Sequence, residues 1–145
     1  MRTLRRRAKS AADGAHGVLL AFPIALFASA LASDIAYLRT AQMQWTNFSA
    51  WLIAGALVFG AVVLAWSLVA LVLALRSPAR RRRLVYALAL AAMWVLGLIN
   101  AFKHSQDAWS SVGAFGLVLS ILCTLLALAA GFLAYSGLMD EERAL

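Results

Sequence analysis

The chain has 145 residues, of which 64% are hydrophobic and only 13% are charged. A soluble domain carries about a quarter charged residues, so this chain has more apolar surface than it can bury within itself, and a soluble globular domain is excluded. The net charge of +7 does not indicate nucleic acid, because the basic residues form short clusters between apolar stretches.

Four apolar stretches predict four transmembrane helices, because about 20 apolar residues in a helix cross the hydrocarbon core. The predicted spans are 17–38, 50–75, 84–102 and 112–138, between a basic tail of residues 1–16 and a short tail of residues 139–145. Short loops make consecutive helices antiparallel neighbours. The predicted fold is an all-α, integral membrane four-helix bundle that runs up-down-up-down.

A proline lies early in the first span, at Phe22-Pro23. Proline lacks a backbone donor and fixes φ, so we expect the chain to bend here or to begin its regular helix here, with Pro23 in the first turn. The apolar run continues to Leu38, past the small residues that would end a signal peptide. We therefore expect an uncleaved first helix.

Asp34 is the only acidic residue within the predicted spans. A charge near the bilayer centre costs at least about 2.5–3.5 kcal/mol, which makes such a residue a functional candidate. Asp34 lies only about one turn from the outer end, and we favour a structural carboxylate that is hydrated or bonded to a neighbouring helix. The alternative is the carboxylate of a proton- or cation-coupled transporter. Asn100 is expected to make a structural hydrogen bond to Asp34 or to the first loop, residues 39–49.

The two histidines raise the question of haem, because imidazole is a common axial ligand. His16 is predicted at the cytoplasmic end of the first span and His104 in the second outer loop, residues 103–111. A hydrocarbon core of about 30 Å separates them, which excludes one haem held within a single chain. No phosphate-binding loop or nucleophile elbow is present either. We predict no catalytic, cofactor-binding or metal-binding residue.

Small residues in the fourth span predict a packing face. They recur three, four or seven positions apart, at Gly113, Gly116, Ser120, Thr124 and Gly131. Lipid is as apolar as leucine, so helices in a membrane associate through close approach at small residues and through interhelical hydrogen bonds.

Positive charge is distributed unequally between the two sides of the predicted bundle. Eleven Lys and Arg residues lie on the side of the termini and two, Arg39 and Lys103, on the other. This bias predicts cytoplasmic termini. The basic residues expected to set the topology and to contact anionic lipid headgroups are Arg5, Arg6, Arg7, Arg80, Arg81, Arg82 and Arg83.

The segment HGVLLAFPIALFASALASD resembles the opening of a bacterial membrane family catalogued as domain of unknown function 2231. That family begins with a histidine–proline pair, followed by a histidine before phenylalanine–proline and an apolar run that ends in aspartate. His16, Phe22-Pro23 and Asp34 match these positions, whereas Gly17 and Ala21 replace the first proline and the second histidine.

The resemblance implies a four-helix bacterial membrane protein without a characterised activity. Some relatives are fused to Rieske or cytochrome modules, and the missing second histidine argues against haem binding by this chain. We expect a multi-pass, non-enzymatic component of the bacterial inner membrane that associates with another membrane protein or with a second copy. The alternatives are a small transporter that uses Asp34 and a redox-associated subunit that shares a haem with a partner.

The charge bias leads to a topology prediction. A reporter fused after Leu145 should be cytoplasmic, and one inserted in residues 103–111 should be external. Replacing the four arginines of residues 80–83 with glutamine should weaken this orientation, because that loop holds much of the bias. An external reporter after Leu145 in the unmodified protein would contradict the assignment.

Overall fold

The computed structural model describes residues 2–106 and 112–143 of the chain, and the side chains of residues 11–106 and 112–136. Its helices are α1 (Arg2–Thr40), α2 (Met43–Leu73), α3 (Arg80–His104) and α4 (Ala114–Arg143). The segments long and apolar enough to cross a membrane are Ala11–Thr40, Met43–Leu73, Arg80–His104 and Ala114–Ser136. The described residues form no strand, and the predicted four-helix bundle is confirmed.

The helices form a closed ring in which α1 packs against α2 and α4, and α3 packs against the same two helices. Contacts between the start of one helix and the end of its neighbour show that neighbouring helices are antiparallel. The Ser49 hydroxyl near the start of α2 donates to the carbonyl of Ala30 late in α1, at 3.1 Å. The Tyr135 hydroxyl late in α4 donates to the carbonyl of Gly17 early in α1, at 3.0 Å.

The two ends of the bundle differ in chemistry, and we name them by their residues. The basic end comprises the α2–α3 connection, residues 74–79, the arginines that open α3, and the adjoining parts of α1 and α4 around residues 13–17 and 133–135. The Asp34 end comprises the α1–α2 connection, the end of α3 and the start of α4.

An apolar core fills the middle of the bundle. Fully buried side chains from all four helices meet there, among them Phe27, Ile53, Val63, Leu90 and Cys123. Most of the other large apolar side chains are exposed on the outer surface of the bundle, as lipid contact requires.

The predicted small face of α4 packs against α1. Gly116, Ser120, Thr124 and Gly131 are buried, whereas Gly113 precedes the helix and is exposed. The Thr124 hydroxyl donates to the carbonyl of Phe27 at 3.2 Å. A Cβ atom at Gly131 would lie 2.8 Å from a methyl group of Ile24, so glycine permits the close approach.

Of the two outcomes predicted at Phe22-Pro23, a bend or the start of regular helix, the second is wrong. Helix α1 is continuous from Arg2 to Thr40, with Pro23 inside it and buried. The basic tail predicted for residues 1–16 is therefore helical from Arg2 onward. Proline within a membrane helix is tolerated because neighbouring helices and local adjustment compensate for the missing backbone bond.

The predicted length of the first loop, residues 39–49, is also wrong. Most of this segment is helical, and only two residues connect α1 to α2. Ala41 ends α1 in the left-handed conformation, with φ of 54°, and its N–H donates to the carbonyl of Tyr37 at 2.8 Å. A left-handed cap ends many helices, but the residue is usually glycine. The sequence has no glycine or proline at this turn, and hydropathy alone does not locate the turn to within a few residues.

The predicted start of the second outer loop, at residue 103 of 103–111, is too early in the chain. Helix α3 continues through Lys103 and His104, and His104 is buried rather than in a loop. Residues 107–111 lie outside the described part of the chain.

The close packing of α3 leads to a stability prediction at Gly97. A Cβ atom there would lie 2.8 Å from Cζ of the buried Phe27 and 3.0 Å from Cδ2 of Leu57. Gly97→Ala should lower the free energy of unfolding in detergent by about 1–3 kcal/mol, because overpacking forces neighbours to shift.

The matched control is Gly14→Ala in α1, where an added Cβ meets nothing within 4 Å. That change should be neutral or stabilising by up to about 1 kcal/mol, since alanine favours helix. Equal stability of the two variants would contradict the packing described at Gly97.

Candidate functional site: a buried polar cluster

The carboxylate of Asp34 lies fully buried between three helices. Its Oδ1 is 2.9 Å from Nε2 of His104 on α3, and its Oδ2 accepts a hydrogen bond from the Ser120 hydroxyl on α4. The Ser120 oxygen accepts in turn from Nδ2 of Asn100 on α3, at 2.9 Å. We call these four residues the Asp34 cluster.

The hydrogen bonds of His104 determine how many protons the pair holds. Its Nδ1 is 2.9 Å from the backbone carbonyl of Asn100, and a carbonyl only accepts, so Nδ1 carries a proton. The contact between Nε2 and Asp34 then holds one further proton. This proton is bound either to His104, as an imidazolium, or to Asp34, as a protonated carboxyl. The pair is neutral overall in both cases, which lowers the cost of burying it.

The arrangement does not suit nucleophilic catalysis. The Ser120 hydroxyl donates to the carboxylate of Asp34 rather than to the imidazole of His104, whereas an activated serine needs a base that takes its proton. All four side chains are buried, so a substrate has no access to them. The cluster is suited to joining helices and to holding a proton.

One polar atom of the cluster is left without a partner. Oδ1 of Asn100 is buried and accepts no hydrogen bond among the described residues. An unsatisfied buried acceptor costs about 1–3 kcal/mol. The cluster is therefore not fully optimised for stability.

Two residues of this cluster, Asp34 and Asn100, are also singled out by the sequence. The expectation that Asp34 faces another helix rather than lipid is confirmed by its bonds to α3 and α4. Asn100 reaches Asp34 only through Ser120.

Sequence reasoning missed His104, which it assigned to a loop, and Ser120, which it assigned to packing alone. A signal for His104 exists, because Asn100 and His104 are four residues apart and share one face of an extended α3.

A second polar group lies at the basic end. Nε2 of His16 on α1 is 2.7 Å from the Tyr86 hydroxyl on α3, and the His16 ring packs edge-on against Trp66 of α2. The two histidines thus belong to separate groups at opposite ends of the bundle. Within the described residues, no three His, Cys, Asp or Glu side chains come together as metal ligands do.

The remaining predicted residues lie on the periphery. Phe22 is partly exposed and stacks on Phe59 of α2, with ring centroids 4.1 Å apart. Arg80, Arg81, Arg82 and Arg83 are all exposed, and Arg82 and Arg83 donate to backbone carbonyls of α4 and α2. The side chains of residues 5–7 lie outside the described part.

These features define a polytopic four-helix membrane protein with a buried polar cluster near one end. The family described as "Predicted membrane protein (DUF2231)" matches residues 12–137. Since the match covers most of the chain, the protein belongs to this family, and the resemblance noted in the sequence is confirmed. No curated protein and no solved structure matches the chain.

The Asp34 cluster leads to a prediction about stability. Asp34→Leu should lower the free energy of unfolding in detergent by about 3–5 kcal/mol, because it leaves His104 and Ser120 buried without their hydrogen-bond partner. Asp34→Asn should cost less, since its amide oxygen still accepts one hydrogen bond.

The matched control is Ser29→Ala, five residues earlier on the exposed side of α1, which should change stability by less than about 0.5 kcal/mol. If Asp34→Leu were as stable as this control, the cluster would not hold the helices together.

Proposed function

We propose that this protein is a non-enzymatic component of the bacterial inner membrane that associates with other membrane proteins through the outward face of α1. The observation that carries the proposal is the composition of that face. Between Pro23 and Asp34 its exposed side chains are all small, at Ala25, Ala28, Ser29 and Ala32.

The outward faces of the other helices are different. They carry large side chains along their length, such as Val58 and Val62 on α2, Val95 on α3, and Leu125 and Leu128 on α4. Helices in lipid approach one another closely where small residues meet. The exposed face of α1 therefore suits a further helix better than the other three faces do.

A transporter that uses Asp34 is the second candidate, because the Asp34–His104 pair holds a proton that either residue can carry. The apolar middle of the bundle argues against transport and therefore favours the first proposal. Between the Asp34 end and the basic end lie Phe27, Leu90 and Met93, all fully buried, and an apolar layer does not conduct protons or cations.

A redox subunit that shares a haem receives less support. Both ring nitrogens of His104 are already engaged, with Asp34 and with the Asn100 carbonyl. Iron ligation by this histidine would break one of these bonds.

Photo-crosslinking in native membranes tests the association. A benzophenone amino acid at position 25 or 28 of the full-length protein should give discrete cross-linked bands that contain other membrane proteins, identified by mass spectrometry. The matched controls are positions 95 on α3 and 125 on α4, which are also exposed on the outer surface of the bundle and should give only lipid adducts.

Adding bulk to the face provides a second arm of the test. Ala28→Leu should lower the cross-linking yield from position 25 several-fold, because it holds the partner helix away. Equal yields at all four positions, or cross-links only between copies of this chain, would contradict association with other proteins through α1.

A further inference from the structure

The basic end contains a cavity of about 250 Å³ between all four helices. Its polar and aromatic lining includes His16, Trp66, Arg82, Arg83, Tyr86 and Tyr135. None of these side chains takes part in the Asp34 cluster or in the outward face of α1.

Two guanidinium groups at this cavity are held in place by backbone carbonyls. Arg82 donates to the carbonyl of Leu133 on α4 at 3.0 Å, and Arg83 donates to the carbonyl of Ala70 on α2 at 2.8 Å. A carbonyl does not neutralise the charge, and a guanidinium has five N–H donors. Both arginines therefore keep their positive charge and further donors for an anion.

The other charged group that lines the cavity is Asp13. Two guanidinium groups against one carboxylate leave a net positive charge, which favours an anionic ligand. Asp13 opposes part of that attraction, and this makes it useful as a probe of the sign of the ligand's charge.

His16 supplies an unsatisfied polar atom at the same place. Its Nε2 is engaged with Tyr86, whereas Nδ1 is buried and has no partner among the described residues. When the Tyr86 hydroxyl donates to Nε2, Nδ1 carries the proton and is a donor. A phosphate oxygen is an acceptor that would satisfy it.

An apolar groove adjoins the cavity on the surface of α2. It is shallow and open, because all of the residues that line it lie on this one helix: Val62, Ala65, Trp66, Val69, Ala70 and Leu73. Trp66 and Ala70 line both spaces. From Leu73 to Val62 the groove follows α2 for about 16 Å towards the middle of the bundle, at 1.5 Å per residue.

We propose that the cavity and the groove form one binding site for an anionic phospholipid. The phosphate binds to Arg82 and Arg83 with His16 nearby, and an acyl chain lies along α2 in the groove. A cationic pocket that opens into an apolar groove matches the two parts of such a lipid, and basic pockets between membrane helices are suited to anionic headgroups.

Lipid binding to the full-length protein, purified and delipidated in detergent, tests the proposal. Native mass spectrometry and thermal unfolding would be measured with phosphatidylglycerol, phosphatidylethanolamine, phosphatidylcholine or inorganic phosphate. Phosphatidylglycerol should bind at least tenfold more tightly than either zwitterionic lipid. Equal binding of the three lipids, or stabilisation by inorganic phosphate equal to that by phosphatidylglycerol, would overturn the proposal.

Paired variants locate the headgroup. Arg82→Gln with Arg83→Gln should weaken phosphatidylglycerol binding at least tenfold, whereas Arg80→Gln with Arg81→Gln, which removes the same charge outside the cavity, should weaken it less than threefold. Asp13→Asn should strengthen binding, because it removes a repulsion. Equal losses from the two double variants, or weaker binding by Asp13→Asn, would refute the site.

A further pair locates the acyl chain. Ala65→Phe fills the groove and should weaken phosphatidylglycerol binding several-fold, whereas Leu68→Phe, on an exposed part of α2 outside the groove, should not. Equal affinity in these two variants would refute the groove as the acyl-chain site. Circular dichroism of each variant checks that it remains folded, and Arg82→Lys with Arg83→Lys provides a charge-conserving replacement if the glutamine variant unfolds.

Discussion

The bundle depends on one buried carboxylate that three helices share. Hydrophobic burial does not pack helices together in lipid, so small residues and interhelical hydrogen bonds must do so. Asp34 provides such bonds, because it is hydrogen-bonded to His104 on α3 and accepts from the Ser120 hydroxyl on α4. Its neutral pairing with His104 keeps the cost of burial low, and the small face of α4 brings Ser120 close enough to donate.

The other features that suit binding lie at the two ends of the bundle and on its outer surface. The Asp34 end satisfies most of its polar atoms internally, whereas the basic end has two arginines that line a cavity and a buried histidine nitrogen without a partner among the described residues. The apolar middle separates the two ends. Helix α1 takes part in both, with Asp34 near one end and His16 near the other, and the exposed side chains in the middle of its outward face are small.

Hydropathy was enough to predict the number of helices and their order, because lipid imposes long apolar segments, and short loops were enough to predict that consecutive helices are antiparallel neighbours. It failed at boundaries where polar residues remain helical, so His104 was placed in a loop although it ends α3 as a buried partner of Asp34. The contact between His16 and Tyr86 spans 70 residues. A periodic pattern identifies a face of a helix but not the helix that it meets, so contacts of this kind depend on packing that the sequence does not display.

The central claim is that Asp34 and His104 stabilise the bundle through each other. The most direct measurement is a double-mutant cycle of Asp34→Leu, His104→Leu and the double variant, with free energies of unfolding measured in mixed detergent micelles. Each single change leaves a buried partner unpaired, so the double variant should be more stable than the sum of the two losses predicts, by about 1.5–3 kcal/mol. Losses that add to within about 0.5 kcal/mol would show that the two residues act independently and would contradict the account.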